Sequence, residues 1–286
     1  MNRRTFLNAG VISAALGALF HRADRVFGRV HPENPQDLKS LWTDGYFHQN
    51  TIDTSRKKEG IVRARVDGAW KDFTVRPLGD EFFAWNLEDR FQKLSVMKEG
   101  RMPDWSGAHN AAVATYGRNR GDSDFSLNNA IKGMGLCPKD ERMEELIGRL
   151  VETREKPQSE KFQLLESLYK DRELWDPYAL VSLELYAAPD FETHTFLNQM
   201  ENPVSTVVFL DVPSYEIRAL ARLLHPKDPG LTPAEERTVR YINTIHTFMH
   251  SHFKSVVPAV VYHVVEVFDD SPAGMNQKGG KGKRVV

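Results

Sequence analysis

The alternation of hydrophobic and polar positions predicts a β-hairpin early in the chain. Apolar and polar side chains alternate through residues 61–75 on either side of Asp67-Gly68, a dipeptide that favours a two-residue type I′ turn. The register that pairs Val66 with Ala69 collects most of the apolar side chains on one face and the charged ones on the other. One face of this hairpin is therefore expected to be buried.

Helical periodicity follows the hairpin in several segments. Apolar residues recur at helical spacing near 83–94, 140–153, 159–170 and 233–253. Thr232-Pro233-Ala234-Glu235 forms a capping box with proline at the first helical position, so it predicts the start of the last and longest helix.

Beyond residue 178 the pattern changes to short apolar strands that alternate with helices. Strands are predicted at 178–187, 204–211 and 256–268. Helices are predicted at 190–200 and at 214–224, the second with Ser214 as its N-cap. The last strand is apolar on both faces, which predicts a central position in a sheet.

These elements together predict an α+β fold. A mixed β-sheet contains the N-terminal hairpin and the strands near residues 180, 206 and 262, and helices cover it. The alternative is a three-layer α/β sandwich, because strands and helices alternate in the second half. We expect residues 31–286 to form one globular domain, with a long Gly/Asn-rich loop near 99–135 and a flexible basic tail at 273–286.

Composition narrows the class of protein. The chain has 286 residues, of which 41% are hydrophobic and 27% charged, and its mean hydropathy is -0.48, which excludes a polytopic membrane protein. It has 38 Lys and Arg against 39 Asp and Glu, so no overall basic charge points to nucleic acid. The single cysteine, Cys137, excludes an internal disulfide and a cysteine-based metal cage.

The N-terminus carries Arg3 and Arg4, then a polar residue, Phe6-Leu7 and a weakly apolar run over residues 8–20. This segment resembles the twin-arginine export signal, an address that a receptor reads rather than a membrane anchor. The apolar run is shorter than the roughly 20 residues that a spanning helix needs.

The resemblance assigns residues 1–30 to an export signal and the twin-arginine translocation machinery as a partner. It implies a periplasmic or extracellular protein that meets the membrane only during export. Because this route carries folded proteins, it also favours a cofactor that is inserted before export.

The sharpest candidate for ligand binding lies on the last helix. His246 and His250 are one turn apart at the edge of the apolar stripe, and two imidazoles so spaced can bind one metal ion or a haem-associated group. A further ligand has to come from another element, with His225, His263, His109 or a carboxylate as candidates.

A second candidate site uses the ends of strands. If the strands before Asp190 and Asp211 are parallel, their carboxyl ends meet at one edge of the sheet, where open α/β sheets build their sites. Asp211, Ser214 and His194 would then be the catalytic residues of one crevice, with Glu216 beside them.

Residues 203–210 and 260–267, with the basic C-terminal segment, resemble the strands of small flavin-binding split barrels. That likeness implies flavin as an alternative cofactor. Three functions remain open: an exported metal- or cofactor-binding protein with a redox role, a flavin-dependent oxidoreductase or a hydrolase, and a non-catalytic partner or maturation factor of an exported complex.

Overall fold

The computed structural model describes residues 41–118, 121–185, 187–249, 256–272 and 282–286. In this part of the chain the fold is α+β, as the pattern predicts, with five α-helices and three antiparallel sheets. None of the helices described is both long and apolar enough to cross a membrane.

The predicted hairpin is present in the predicted register. The strands before it come first: β1 (Trp42–Thr43), β2 (Tyr46–Phe47) and β3 (Ile52–Asp53). The hairpin itself comprises β4 (Ile61–Val66) and β5 (Ala69–Thr74), with Val66 opposite Ala69. It joins β3 in a three-stranded sheet of its own rather than the main sheet.

The main sheet has eight strands, and every neighbouring pair in it is antiparallel. In chain order they are β6 (Asn110–Thr115), β7 (Asn128–Gly133), β8 (Gly135–Pro138), β9 (Trp175–Leu183), β10 (Val204–Phe209), β11 (Tyr215–Leu224), β12 (Ala259–Asp269) and β13 (Lys283–Arg284). The spatial order is β7-β6-β10-β11-β12-β9-β8, with β13 paired to β12. The α/β sandwich alternative, which requires parallel strands, is therefore wrong for the described region.

This sheet curls into a half-barrel. The curl brings side chains of β7 against residues at the end of β9, although these two strands are not paired. Lys132 Nζ lies 2.6 Å from Glu184 Oε2, and Ser182 Oγ donates to the Gly133 carbonyl at 2.8 Å. The face on which they meet is called the inner face. It holds the main core, whereas Leu220 and its neighbours on the outer face pack against the three-stranded sheet.

Five helices flank the sheets: α1 (Asp80–Lys98), α2 (Asp140–Thr153), α3 (Gln158–Lys170), α4 (His194–Glu201) and α5 (Pro233–Met249). The capping box before α5 is confirmed, since Thr232 N and Oγ1 donate to Glu235 Oε2 at 2.9 and 3.0 Å. The predicted extension of α5 to residue 253 lies outside the described residues.

The sequence prediction for residues 214–224 is wrong. Residues 214–224 form strand β11, not a helix, because the segment pairs on both sides with β10 and β12. Ser214 therefore caps no helix, and its hydroxyl donates to the Phe209 carbonyl at 2.9 Å.

The predicted loop at 99–135 instead contains the paired strands β6 and β7. Of the predicted flexible tail, residues 283–284 pair with β12, and 273–281 lie outside the described residues.

Candidate functional site

A histidine and a carboxylate from distant parts of the chain meet near the end of β11. Nδ1 of His48, just after β2, lies 2.7 Å from Oδ2 of Asp228. The His48 side chain is 50% exposed and that of Asp228 only 3%, so a buried carboxylate holds a solvent-facing imidazole. Because a carboxylate accepts hydrogen bonds, the neutral ring has its proton on Nδ1 and its lone pair on Nε2. We call His48 and Asp228 the dyad.

The backbone of Gly230 lies directly against both residues of the dyad. Gly230 N donates to Asp228 Oδ1 at 2.8 Å, which fixes the second carboxylate oxygen. A Cβ atom at Gly230 would lie 2.9 Å from Cε1 and 3.0 Å from Nδ1 of His48. The imidazole thus lies directly against the backbone of residue 230, and only glycine leaves it that space.

The residue after His48 fixes this segment to the sheet. Gln49 is buried, and its Nε2 donates to the carbonyls of Gln199 and Ala221 at 2.8 and 3.1 Å. Its Oε1 accepts from Leu223 N at 2.7 Å, and Arg222 donates to its carbonyl at 2.9 Å. The bonds with the Ala221 carbonyl and with Leu223 N satisfy backbone groups of β11 beyond Leu220, the last residue that pairs with β10. All four bonds hold His48 at the end of that strand.

His225 begins the turn that supplies Asp228, whose backbone N donates to the His225 carbonyl at 3.0 Å. The His225 imidazole is buried, with ring centroids 5.7 Å from Trp42 and 5.1 Å from Phe47. Burial, together with the nearby Lys227 charge, lowers the pKa of His225 to about 4. Lys227 N donates to Nδ1 at 3.1 Å, so the neutral ring carries its proton on Nε2.

Aromatic and acidic side chains complete this region. Trp42 stacks on Phe196 with centroids 5.8 Å apart, and its indole Nε1 donates to Glu192 Oε1. Burial raises the pKa of Glu192, which favours its protonated form. Trp42 and Tyr46 are half-buried residues of β1 and β2, the strands that precede His48.

Only one of the two predicted metal ligands lies among the described residues. His246 lies on α5 with its Nε2 shielded from solvent, and His250 lies outside the described residues. Over the described ranges, no group of three or more His, Cys, Asp or Glu side chains is placed to hold a metal ion. The pairing of His246 with His250 stays a prediction.

The proposed further ligands are spread through the fold. His109 precedes β6 and its Nδ1 lies 3.5 Å from Arg90 Nη1, while His263 lies within the central strand β12. A metal ion at Nε2 of His225 would require the other tautomer, whose Nδ1–H would face the Lys227 N–H donor. Burial lowers the pKa of His263 to about 3, so its ring is neutral, like that of His225.

The predicted crevice of Asp211, Ser214 and His194 is not formed, because its premise of parallel strands is wrong. Strands β9 and β10 run in opposite directions, since β11 and β12 lie between them and all neighbours are antiparallel.

The contacts of these three residues confirm the separation. Asp211 accepts from Trp85 Nε1 at 3.1 Å at the carboxyl end of β10. His194 instead donates from Nε2 to the Arg118 carbonyl at 2.9 Å, beyond the Thr115 end of β6 that pairs with the start of β10. The length of β10 therefore separates His194 from Asp211 and Ser214.

The lone thiol is structural. Cys137 is buried in the core, and burial beside Asp176 raises its pKa to about 12. Its thiolate form, and with it any nucleophilic role, is disfavoured at neutral pH.

Sequence reasoning named His225 only as a metal ligand and missed His48 and Asp228. A weak signal was available: His225-Pro-Lys-Asp228-Pro-Gly230 is a proline- and glycine-bounded turn that carries two titratable side chains. Nothing local indicates that residue 48 packs against this turn.

No protein-family model and no curated protein matches the chain. Among solved structures, it is similar to the 1.70 Å crystal structure of epitope-tagged HupZ from Group A Streptococcus, with a TM-score of 0.32 and 14% sequence identity. The match covers 64% of this chain and 97% of that one.

Proposed function

We propose that this protein is an exported enzyme that uses the dyad as a general base on a small organic molecule with an aromatic or planar group. One observation carries the proposal: buried Asp228 lies 2.7 Å from Nδ1 of half-exposed His48, which directs the lone pair of Nε2 outward. A carboxylate that orients and stabilises a histidine in this way is the arrangement that proton abstraction requires.

The reaction class follows from what contacts the base. Among the described residues, no hydroxyl or thiol group forms a hydrogen bond with Nε2 of His48. The acceptor therefore faces solvent or a bound substrate, and water is the simplest nucleophile that it can activate. This arrangement supports hydrolysis of an ester or amide without a covalent intermediate.

In that reaction Nε2 takes a proton from water as the water oxygen forms a bond to the carbonyl carbon. When the tetrahedral intermediate collapses, the bond to the leaving oxygen or nitrogen breaks, and the leaving group receives the proton. Asp228 stays ionised and stabilises the imidazolium that exists between these two steps.

The aromatic side chains support the choice of substrate. Trp42 and Tyr46 are half-buried residues of the two strands that precede His48, and their rings are flat apolar groups of the kind that stack on an aromatic substrate.

Export is the other part of the proposal, and the N-terminal Arg3-Arg4 motif supports it. The translocation machinery is then a transient partner, and the site of action is the periplasm or the exterior. The dyad needs no cofactor for hydrolysis, so the metal, haem and flavin alternatives are separate proposals that rest on the sequence patterns alone.

Hydrolysis of p-nitrophenyl acetate tests the proposal, because its aromatic leaving group suits Trp42 and Tyr46. We expect His48→Gln and Asp228→Asn to lower the rate by about 10²-fold or more, the usual contribution of a positioned general base. The matched control is His194→Gln, which removes a histidine engaged only with a backbone carbonyl. Equal rates in wild type, both dyad variants and the control would reject the proposal.

A further inference from the structure

One arginine bonds to both of the chain segments that form the dyad. Arg222 lies on β11, and its side chain is only 7% exposed. Its Nη1 donates to the carbonyl of Gln49, the residue directly after His48, at 2.9 Å. Its Nε donates to Oε1 of Glu235, in the first turn of α5, at 2.7 Å. The two bonds use different nitrogens of one planar group, so their directions are fixed relative to each other.

The bond to Glu235 closes the turn that carries Asp228. This turn connects β11 to α5, and Arg222 and Glu235 lie on either side of it. The second carboxylate oxygen of Glu235 accepts from Thr232 N at 2.9 Å, so the end of the turn is bonded to the same carboxylate. Asp228 and Gly230 therefore belong to a segment whose two ends are joined by an ion pair.

Both members of this ion pair are charged and largely shielded from water. The Glu235 side chain is only 14% exposed. Burial opposes its ionisation, but the charge and the hydrogen bond of Arg222 keep the pKa of Glu235 below its usual value. A buried ion pair adds little net stability, because the cost of desolvation offsets the attraction between the charges. Its main effect is then on where the two joined segments lie.

Arg222 connects the two segments independently of the hydrogen bond within the dyad. Gln49 has its own bonds to the backbone of Gln199, Ala221 and Leu223, which fix it to the sheet whether or not Arg222 is present. Loss of the Arg222 bonds thus leaves the His48 segment on the sheet and frees it from the turn after β11.

We propose that Arg222 and Glu235 are positioning residues for the dyad. They hold Asp228 within hydrogen-bond distance of Nδ1 of His48 and so keep the neutral imidazole in its Nδ1–H tautomer. The effect on catalysis rests on the proposed function, whereas the effect on the tautomer does not.

Nuclear magnetic resonance of the histidine ring nitrogens in the full chain tests the proposal without any substrate. The His48 signals are those that are absent from His48→Gln. We expect wild type at about pH 9, where imidazole is ordinarily neutral, to show the Nδ1–H form. Arg222→Lys keeps the charge but replaces two donor nitrogens by one, so it should give a mixture of the two tautomers.

A second variant and a control accompany this substitution. Glu235→Gln should also give a mixture, and glutamine still serves in the capping box. The control is Arg237→Lys, the same exchange in the pair that Arg237 forms with Asp140 through two nitrogens on α5, and it should keep the wild-type tautomer. Circular dichroism should show the wild-type fold in all three. In p-nitrophenyl acetate hydrolysis we expect Arg222→Lys to lower kcat by about 10- to 100-fold with little change in KM.

The tautomer decides the positioning role. A wild-type tautomer in both folded variants, Arg222→Lys and Glu235→Gln, would overturn it, whatever their rates of hydrolysis. A shifted tautomer in a protein that does not hydrolyse the ester would support the positioning role and reject the proposed function, so the two failures are distinguishable.

Discussion

At the scale of single residues, His48 depends on two neighbours that are far from it in sequence. Asp228 fixes which nitrogen carries the proton, and Gly230 leaves the space in which the ring lies. A base of this kind works only if its lone pair is held toward the substrate, since a displacement of about 1 Å can cost about 10²-fold in rate. Its position therefore matters as much as its chemical identity.

Gly230→Ala tests that dependence. The new Cβ would come within 3.0 Å of Nδ1 of His48, so the ring has to move while both dyad residues remain present. We expect p-nitrophenyl acetate hydrolysis to fall by about 10- to 100-fold with the fold retained. Gly148→Ala on α2 is the control, because its Cβ meets nothing within 4 Å. Full activity in Gly230→Ala would show that the position of His48 is not limiting.

His263 predicts a pH dependence of stability. It is buried between the main sheet and the three-stranded sheet, near the charges of Lys57 and Arg222, and its pKa is lowered to about 3. The unfolded chain, with an ordinary histidine pKa of about 6.5, then binds a proton that the folded chain excludes. Its contribution is constant above about pH 6.5 and is lost as the pH falls toward 3, by at most about 1.4 kcal/mol per pH unit.

Chemical denaturation between pH 5 and 8 measures this effect. We expect His263→Leu to flatten the decrease in unfolding free energy below about pH 6.5. An unchanged slope in His263→Leu would mean that this histidine titrates normally in the folded protein.

At the scale of elements, the half-barrel depends on one buried ion pair. Lys132 and Glu184 join β7 to the end of β9, and the Glu184 side chain is completely buried. Glu184→Gln leaves the Lys132 charge without its partner, so we expect the unfolding free energy to fall by about 3–5 kcal/mol. Replacing both residues, by Met and Leu, should restore much of that loss, because no unpaired charge remains.

Denaturant titration of the three proteins checks this expectation. Asp140→Asn is the control: its ion pair with Arg237 is partly exposed, and its loss should cost at most about 1 kcal/mol. If Glu184→Gln changes stability no more than Asp140→Asn, the pair does not hold the sheet closed.

The elements that the sequence predicts correctly are those with local signals. The hairpin register follows from Asp67-Gly68, and the start of α5 follows from the box at Thr232 and Glu235. Strand β11 was predicted as a helix because its Ala-, Leu- and Arg-rich composition favours one. Pairing with β10 and β12 overrides that preference in the folded chain.

The candidate site could not be predicted for a similar reason. His48 and Asp228 are 180 positions apart, and their contact depends on Gln49 bonding to the backbone of β11. The hydrophobic periodicity of the sequence gives no indication of such a long-range contact. The predicted strand-end site failed because it assumed parallel strands in a sheet whose neighbours are all antiparallel in the described region.

At the scale of the whole molecule, the proposed site joins two segments that are far apart in the sequence. The dyad depends on the segment after β2 and on the turn after β11, which Gln49 holds together by its bonds to β11.

The export proposal concerns residues outside the described part of the chain, and cell fractionation tests it. Lysine keeps the charge but not the planar guanidinium group, so Arg3→Lys with Arg4→Lys should leave folded protein inside the cell. Arg22→Lys with Arg25→Lys is the control, because it changes the same number of arginines in the same segment. Normal export of the Arg3/Arg4 variant would contradict the signal assignment.

Chemical rescue tests the role of the dyad most directly. His48 is half-exposed, so His48→Ala opens a space that free imidazole can reach and in which Asp228 can orient it. Free imidazole hydrolyses p-nitrophenyl acetate by itself, so its rate without protein is subtracted. We predict that the remaining hydrolysis is restored by imidazole in His48→Ala and not when Asp228→Ala is added. Wild-type activity in His48→Ala without imidazole, or equal stimulation of both variants by imidazole, would contradict the assignment of His48 and Asp228 as the catalytic base.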